Sequence, residues 1–216
     1  MQTLKKQTDA KIEMGRKANP NFMKGVDEII SEARALKKDA NAIEVSQKIP
    51  NFELPNQEGN LISISDLLKK GPIVLTFYRG SWCPYCNLQL KALQSKLSDI
   101  HSLGARLIAI SPQVPDDSLS KNDIEEIDFL VLSDQDAKVA SKYGLAWEIP
   151  KFLSEHMKND RGLELEIINN GNGSILPIPA TFVISTDGIV HWRYVDVDYR
   201  TRCEPDDIID VLKRLS

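Results

Sequence analysis

At 216 residues, 42% apolar and 27% charged, the chain is long enough to bury one sizeable core and has ordinary globular usage. Its 27 basic and 31 acidic side chains sum to −4 at pH 7, which offers no electrostatic footprint for nucleic acid. Three cysteines are too few for a disulfide scaffold, and no stretch has the apolar length of a signal peptide or membrane helix; a soluble cytoplasmic protein is the expectation.

Residues 1–45 read as a helical extension ahead of a domain spanning 46–216. Asn19-Pro20 divides a polar amphipathic stretch, Leu4 to Lys17, from a second in which Phe22, Val26, Ile29, Ile30, Ala33 and Leu36 recur at helical spacing. That stripe needs a partner surface, either the chain's own body or, in a homodimer, a second copy. Its polar face carries both charge signs, unlike a membrane-surface helix.

From Lys48 the pattern changes to short strands. Phe52–Leu54 and Leu61–Ile64 flank a turn at Gly59-Asn60 and predict a hairpin, after which Ser65 is expected to cap a short helix ended by Gly71-Pro72. Ile73 to Tyr78 is an apolar run without alternation, as in a strand buried on both faces. It leads into Arg79-Gly-Ser-Trp-Cys-Pro-Tyr-Cys86 and a helix whose Cys86, Leu90, Leu93, Leu97 and Ile100 share one face. Arg106–Ser111 and Phe129–Ser133 predict further strands, each followed by a polar or amphipathic segment, with Ser133 and Asp136 as a capping pair for a helix through Tyr143. Residues 146–176 are the least regular, and Asn169 to Ser174 reads as a surface loop. Thr181–Ser185 and Ile189–Val195 flank an Asp187-Gly188 turn, and Glu204-Pro205-Asp-Asp207 opens a last helix. This order predicts an α/β fold, a mixed central sheet with helices on both faces.

The chemistry concentrates at Cys83 and Cys86. Pro84 suits the first helical position, so Cys83 falls at the N-cap and both sulfurs lie in the first turn. There free N–H groups and the helix dipole favour thiolate, the reactive form. Arg79 adds a charge-assisted contact for a thiolate or a bound oxygen. A zinc site would need Cys203, His101, His156 and His191 to complete it, and none forms a second paired motif, so neither a metal nor another cofactor is expected. The histidines show no spacing that suggests a catalytic pair. Cys203 reads as an ordinary lone cysteine ahead of a second resolving thiol or an intersubunit partner, and Arg200 and Arg202 read as solvated surface charges ahead of a positive field for the site, which would need their loop to fold back. Trp82 and Tyr85 are candidates for an apolar apron around the sulfur.

From Lys48 to Leu215 the chain resembles the thioredoxin superfamily, and more closely its alkyl hydroperoxide reductase/thiol-specific antioxidant, peroxiredoxin-like branch. The resemblance rests on Phe52-Glu-Leu-Pro55, Leu75-Thr-Phe-Tyr-Arg-Gly80, Ile110-Ser-Pro112, Val131-Leu-Ser-Asp134 and Ala180-Thr-Phe-Val-Ile184. It implies a thioredoxin-like fold and a thiol-dependent peroxidase cycling through a Cys83–Cys86 disulfide. The partners would be a peroxide and a thiol reductant, either a thioredoxin-type protein or a low-molecular-weight thiol. Laying the peroxiredoxin Pro-x-x-x-Thr-x-x-Cys pattern here puts the peroxidatic cysteine on Cys86, the threonine on Cys83 and the proline on Arg79. The arginine that peroxiredoxins keep before the facing strand falls on Pro179. The thioredoxin pattern instead makes Cys83 the exposed attacker and Cys86 the resolving thiol. It also gives Ile178-Pro179 the place of the cis-proline that holds backbone against the sulfur, and puts Phe77 where a buried carboxylate would be. An N-cap sulfur is expected to be the more exposed of the two, which favours Cys83 as attacker. The same fold also fits a thiol-disulfide oxidoreductase acting on a protein or small disulfide. A further alternative is a redox sensor or scaffold whose N-terminal helices bind a partner.

Overall fold

A computed structural model of the chain describes residues 2–114 and 127–215; part of the polar segment expected before Phe129, residues 115–126, lies outside them. Two helices open the chain, α1 (Leu4–Ala18) and α2 (Pro20–Ala35). Asn19 ends the first and caps the second, its side chain accepting from Phe22 N, with Pro20 at the first helical position. The start of α1 is pinned by Glu204, whose carboxylate accepts from Leu4 N and Lys5 N at 3.0 and 2.7 Å, an acid satisfying free amides at a helix N-terminus.

Strands β1 (Glu53–Pro55) and β2 (Leu61–Ser63) form the small hairpin, followed by α3 (Ile64–Leu68). Ser63, not Ser65, takes the N-cap position of α3, and the two serine hydroxyls bond each other at 2.8 Å. Then come β3 (Ile73–Phe77), α4 (Pro84–Gln94), α5 (Leu97–Ser102) and β4 (Arg106–Ser111). The apolar face expected on one helix is carried by two, because the chain breaks at Ser95-Lys96; Cys86, Leu90, Leu93, Leu97 and Ile100 are all buried in the same cluster.

The remaining elements are β5 (Leu130–Ser133), α6 (Lys138–Lys142), β6 (Ala146–Glu148), α7 (Lys151–Glu155) continued by a π-helical turn His156–Asp160, α8 (Leu165–Ile168), β7 (Ile175–Pro177), β8 (Ala180–Ile184), β9 (Val190–Val195) and α9 (Pro205–Leu215). The cap of α6 differs from the expected Ser133/Asp136 pair. The buried Asp134 carboxylate accepts from Val139 N and Ala140 N, both at 2.8 Å, while Ser133 Oγ donates to Gln113 O.

The central sheet has the order β5-β4-β3-β8-β9, with β3, β4 and β5 parallel and β8 and β9 antiparallel to their neighbours. Both faces of β3 are covered, which is why its sequence shows no polar alternation. Ile73, Leu75 and Phe77 enter the cluster that includes α3 and Tyr143, while Val74 faces the cluster of α2, α4, α5 and α9. On that second face Thr76 and Thr181 are polar yet fully buried, and they bond each other at 3.1 Å. The mixed sheet with helices on both faces is the one expected from the strand order, and it matches the thioredoxin-like fold that the resemblance implies.

Candidate active site

The loop after β3 carries the motif beyond the C-terminal end of the central strand. Gly80 adopts φ +146°, a conformation open to glycine, and a Cβ there would lie 2.2 Å from Trp82 Nε1. Ser81 N and Oγ both donate to Gln113 Oε1, at 2.8 and 3.0 Å, and Arg161 Nη2 donates to Trp82 O at 3.1 Å, so the loop is braced before it reaches the cysteines. Cys83 is the N-cap of α4 and Pro84 its first residue.

Both sulfurs are buried: Cys83 is 1% and Cys86 0% exposed. The expectation of a more exposed N-cap sulfur is therefore corrected, because α2 and the α7 segment fold over the helix end. What distinguishes the two is a cavity of about 320 Å³ that Cys83 lines and Cys86 does not. The inner wall is Arg79, Trp82, Pro84, Tyr85 and Tyr199; the outer wall is Lys11, Phe22 and Met23 from the N-terminal helices and Leu153, His156, Met157 and Arg161 from the α7 segment. Phe22 stacks on His156 with ring centroids 3.7 Å apart and on Phe152 at 5.5 Å. His156 Nδ1 meets Asp160 Oδ2 at 2.6 Å.

The electrostatics separate the sulfurs further. A hydrogen bond with Cys86 draws the Cys83 thiol down from 9.0 to about 5, against the cost of burial and helped by the Arg79 and Arg202 guanidiniums. Burial, together with the hydrogen bond and negative charge of Cys83, pushes Cys86 the other way. The Arg79 guanidinium lies 4.1 Å from the Tyr199 ring centroid and 5.2 Å from that of Trp82, a cation between two aromatic faces at the cavity. Burial also raises Tyr85 to about 12, so neither it nor Tyr199 supplies a phenolate near neutral pH.

Among the sequence-predicted residues, Cys83, Arg79, Trp82 and Tyr85 meet at the cavity, with Cys86 immediately behind. Ile178 does not join them. It is fully buried in the cluster on the opposite face of the sheet, donating its N–H to Leu145 O. Pro179 is buried between β7 and β8 and does not line the cavity, and no peptide bond among the described residues is cis. The thioredoxin-like proline arrangement is therefore not reproduced.

Sequence reasoning ranked one site residue, Arg202, below a solvated reading and missed another, Gln89. Arg202, read as a solvated charge, is 6% exposed and donates from Nη2 to Cys86 Sγ at 3.1 Å. Its Nε donates to the buried Gln89 Oε1 at 2.6 Å. Gln89 had a visible signal: it sits three residues after Cys86 on the buried face of α4, where a polar side chain must find partners. Arg200 is buried too, held by Asp198 at 2.8 Å and by Asp27 of α2 at 2.7 Å. Cys203 is buried, and burial raises its thiol to about 12, as befits an inert core cysteine. The described residues contain no group of His, Cys, Asp and Glu able to hold a metal ion.

A family model described as the AhpC/TSA family matches residues 45–193. The chain belongs to the AhpC/TSA family. Related proteins include one from Haemophilus influenzae provisionally named peroxiredoxin bcp, 29% identical over 144 residues, 67% of this chain and 90% of the relative. Peroxiredoxin Bcp of Escherichia coli K12 is 22% identical over 173 residues, 80% of this chain and 97% of the relative. Among solved structures, peroxidoxin BcpB of Mycobacterium tuberculosis superposes with a TM-score of 0.60 at 22% identity, covering 81% of this chain and 99% of that one. A peroxiredoxin 6 variant of Arenicola marina gives 0.62 at 18% identity over 81% and 74%. These agree with the thioredoxin-like fold. The outer wall from α1 and α2, and Tyr199, Arg200 and Arg202, lie outside the residues that the family model matches. No helix among the described residues is long and apolar enough to cross a membrane.

Proposed function

We propose that the protein is a thiol-dependent peroxidase in which Cys83 attacks the peroxide and Cys86 closes the disulfide. The observation that carries this assignment is that Cys83 lines the cavity and holds its thiol down at about 5, while Cys86 stands behind it with its thiol raised. The Cys83 thiolate attacks one oxygen of the O–O bond; the bond breaks, the sulfur becomes a sulfenic acid and the other oxygen leaves as alkoxide or hydroxide and takes up a proton. Cys86 then displaces hydroxide from the sulfenic sulfur, giving water and the Cys83–Cys86 disulfide. Two thiols from a thioredoxin-type protein or a low-molecular-weight donor return both cysteines to the reduced state. A cytoplasmic setting supplies such donors. Arg79, between Trp82 and Tyr199, would place positive charge where the departing oxygen becomes negative.

A thiol-disulfide oxidoreductase is the second reading, favoured by the attacking sulfur at the helix N-cap. With Phe22 and Met23 lining the outer side of the cavity, a small disulfide is the substrate that fits it best. The test is a single-turnover reaction of the reduced protein with one equivalent of hydrogen peroxide, followed by thiol titration. Oxidation orders of magnitude faster than that of free cysteine thiolate, with two thiols lost, is the expected result. A rate no faster than free cysteine removes the peroxidase and leaves the disulfide substrate.

A further inference from the structure

The segment after β9 delivers a cation to the second cysteine, and its environment is unusual. All the hydrogen bonds of the Arg202 guanidinium go to neutral acceptors or sulfur: Nε to Gln89 Oε1, Nη1 to the carbonyls of Tyr199 and Thr201, and Nη2 to Cys86 Sγ. Among the described residues no carboxylate pairs with it, whereas the adjacent Arg200 has two. A buried cation without a counter-ion is costly, and the anion within reach is a cysteine sulfur.

The guanidinium is also held from behind. Gln89 Nε2 donates to Thr76 Oγ1 and Thr181 Oγ1, both at 3.1 Å, and Thr76 Oγ1 donates to Ala180 O at 3.2 Å. With its amide nitrogen committed to β3 and β8, the Gln89 oxygen has to face Arg202. This chain of contacts explains why two threonines on the helix-facing side of the central sheet are polar and wholly buried.

We propose that Arg202, positioned by Gln89, holds the Cys86 thiolate in the two steps where that sulfur must carry charge. The inference rests on the reading that Cys83 attacks. In the reduced pair the negative charge resides on Cys83 and opposes ionisation of Cys86. Once Cys83 is a sulfenic acid that charge is gone, and Arg202 has the cost of burial alone to offset at Cys86. The Cys86 thiolate then attacks the Cys83 sulfur, the S–O bond breaks, and hydroxide leaves to be protonated. In the return half, a donor thiolate entering the cavity attacks the Cys83 sulfur of the disulfide. The S–S bond breaks and its electron pair departs on Cys86 Sγ, directly against Arg202 Nη2. A better-stabilised leaving thiolate leaves faster, and because the single negative charge of the reduced pair, which settles on Cys83, also lies in the field of Arg202, the couple becomes more oxidising. Arg202 is thus a catalytic residue and Gln89 a positioning residue.

The test compares Arg202→Met, Arg202→Lys and Gln89→Glu with the unmodified chain, each checked for a cooperative thermal transition. In Arg202→Met the expected results are disulfide closure at least tenfold slower, with sulfenic acid accumulating to be trapped, and first-step oxidation of Cys83 altered much less. The equilibrium of the Cys83–Cys86 disulfide with dithiothreitol should shift about tenfold towards disulfide, about 30 mV in potential. Arg202→Lys keeps the charge and should recover most of the shift. Gln89→Glu supplies the missing carboxylate, neutralises Arg202 and should resemble Arg202→Met. Should Arg202→Met not fold, the Cys86 thiol is titrated in Cys83→Ser with and without Gln89→Glu, and the second change should raise it. Closure rate and dithiothreitol equilibrium both within twofold of the unmodified chain would overturn the proposal. The disulfide can be formed chemically, so the equilibrium reads Arg202 even if peroxide proves not to be the substrate.

Discussion

The Cys83 thiolate sets the reactivity of the site, and pH is the perturbation that isolates it. With an ordinary value of 9.0 and a folded value of about 5, the thiolate fraction at pH 7 rises from about 1% to about 99%, a hundredfold gain in the reactive form. Alkylation of the reduced protein by iodoacetamide should therefore be flat from pH 7 to 8 and fall as the pH drops through 5, with thiolate absorbance near 240 nm following the same curve. The largest cause is the Cys86 hydrogen bond, so Cys86→Ala should move the midpoint up, whereas Cys86→Ser, which keeps a donor, should move it less. The same shift has a stability consequence. The folded state binds fewer protons than the unfolded chain between about 5 and 9.0, so this contribution is fully present above 9.0 and is lost as pH falls through about 5. A midpoint near the ordinary cysteine value, unchanged by Cys86→Ala, would mean that Cys83 is not held as a thiolate by Cys86.

Three other substitutions probe the surroundings of the site. Gly80→Ala forces a Cβ against Trp82 in a backbone conformation that disfavours side chains; a loss of about 1–3 kcal/mol in denaturant unfolding and a changed Trp82 emission are expected. Asp27→Asn removes the α2 partner of Arg200 while Asp198 remains; the exposed side of that pair limits the cost to about 1 kcal/mol, read as a small fall in thermal midpoint. Phe22→Ala takes the stacked ring off His156 and opens the outer wall. KM for a bulky organic hydroperoxide should rise several-fold while the rate with hydrogen peroxide, which needs no such wall, changes little.

Much of the fold was legible because each central strand announces its burial. Ile73–Phe77 has no polar alternation, and the Cys86-to-Ile100 stripe survives a helix break because both helices present one face to the same cluster. Cys83, Pro84 and Cys86 could likewise be placed on a helix start from residue types alone. Arg202 could be placed there only on the condition that its loop folds back, since its contact with Cys86 spans 116 residues and its neighbours Arg200 and Thr201 carry no periodicity. The roof over Cys83 was equally hidden: the stripe on α2 demanded a partner, but nothing local said that Phe22 and Met23 would close the cavity. Ile178-Pro179 misled for a related reason, because a matching dipeptide fixes neither the peptide geometry nor the face of the sheet that a side chain enters.

The most direct measurement of the central claim is the reaction of Cys83→Ser and Cys86→Ser with one equivalent of hydrogen peroxide in the presence of a sulfenic-acid trap. Rapid oxidation and a trapped sulfenic acid at Cys83 are expected in Cys86→Ser, and no rapid phase in Cys83→Ser. The opposite pattern, with the trap on Cys86 and Cys83→Ser still fast, would contradict it and move the attack to the sulfur beside Arg202.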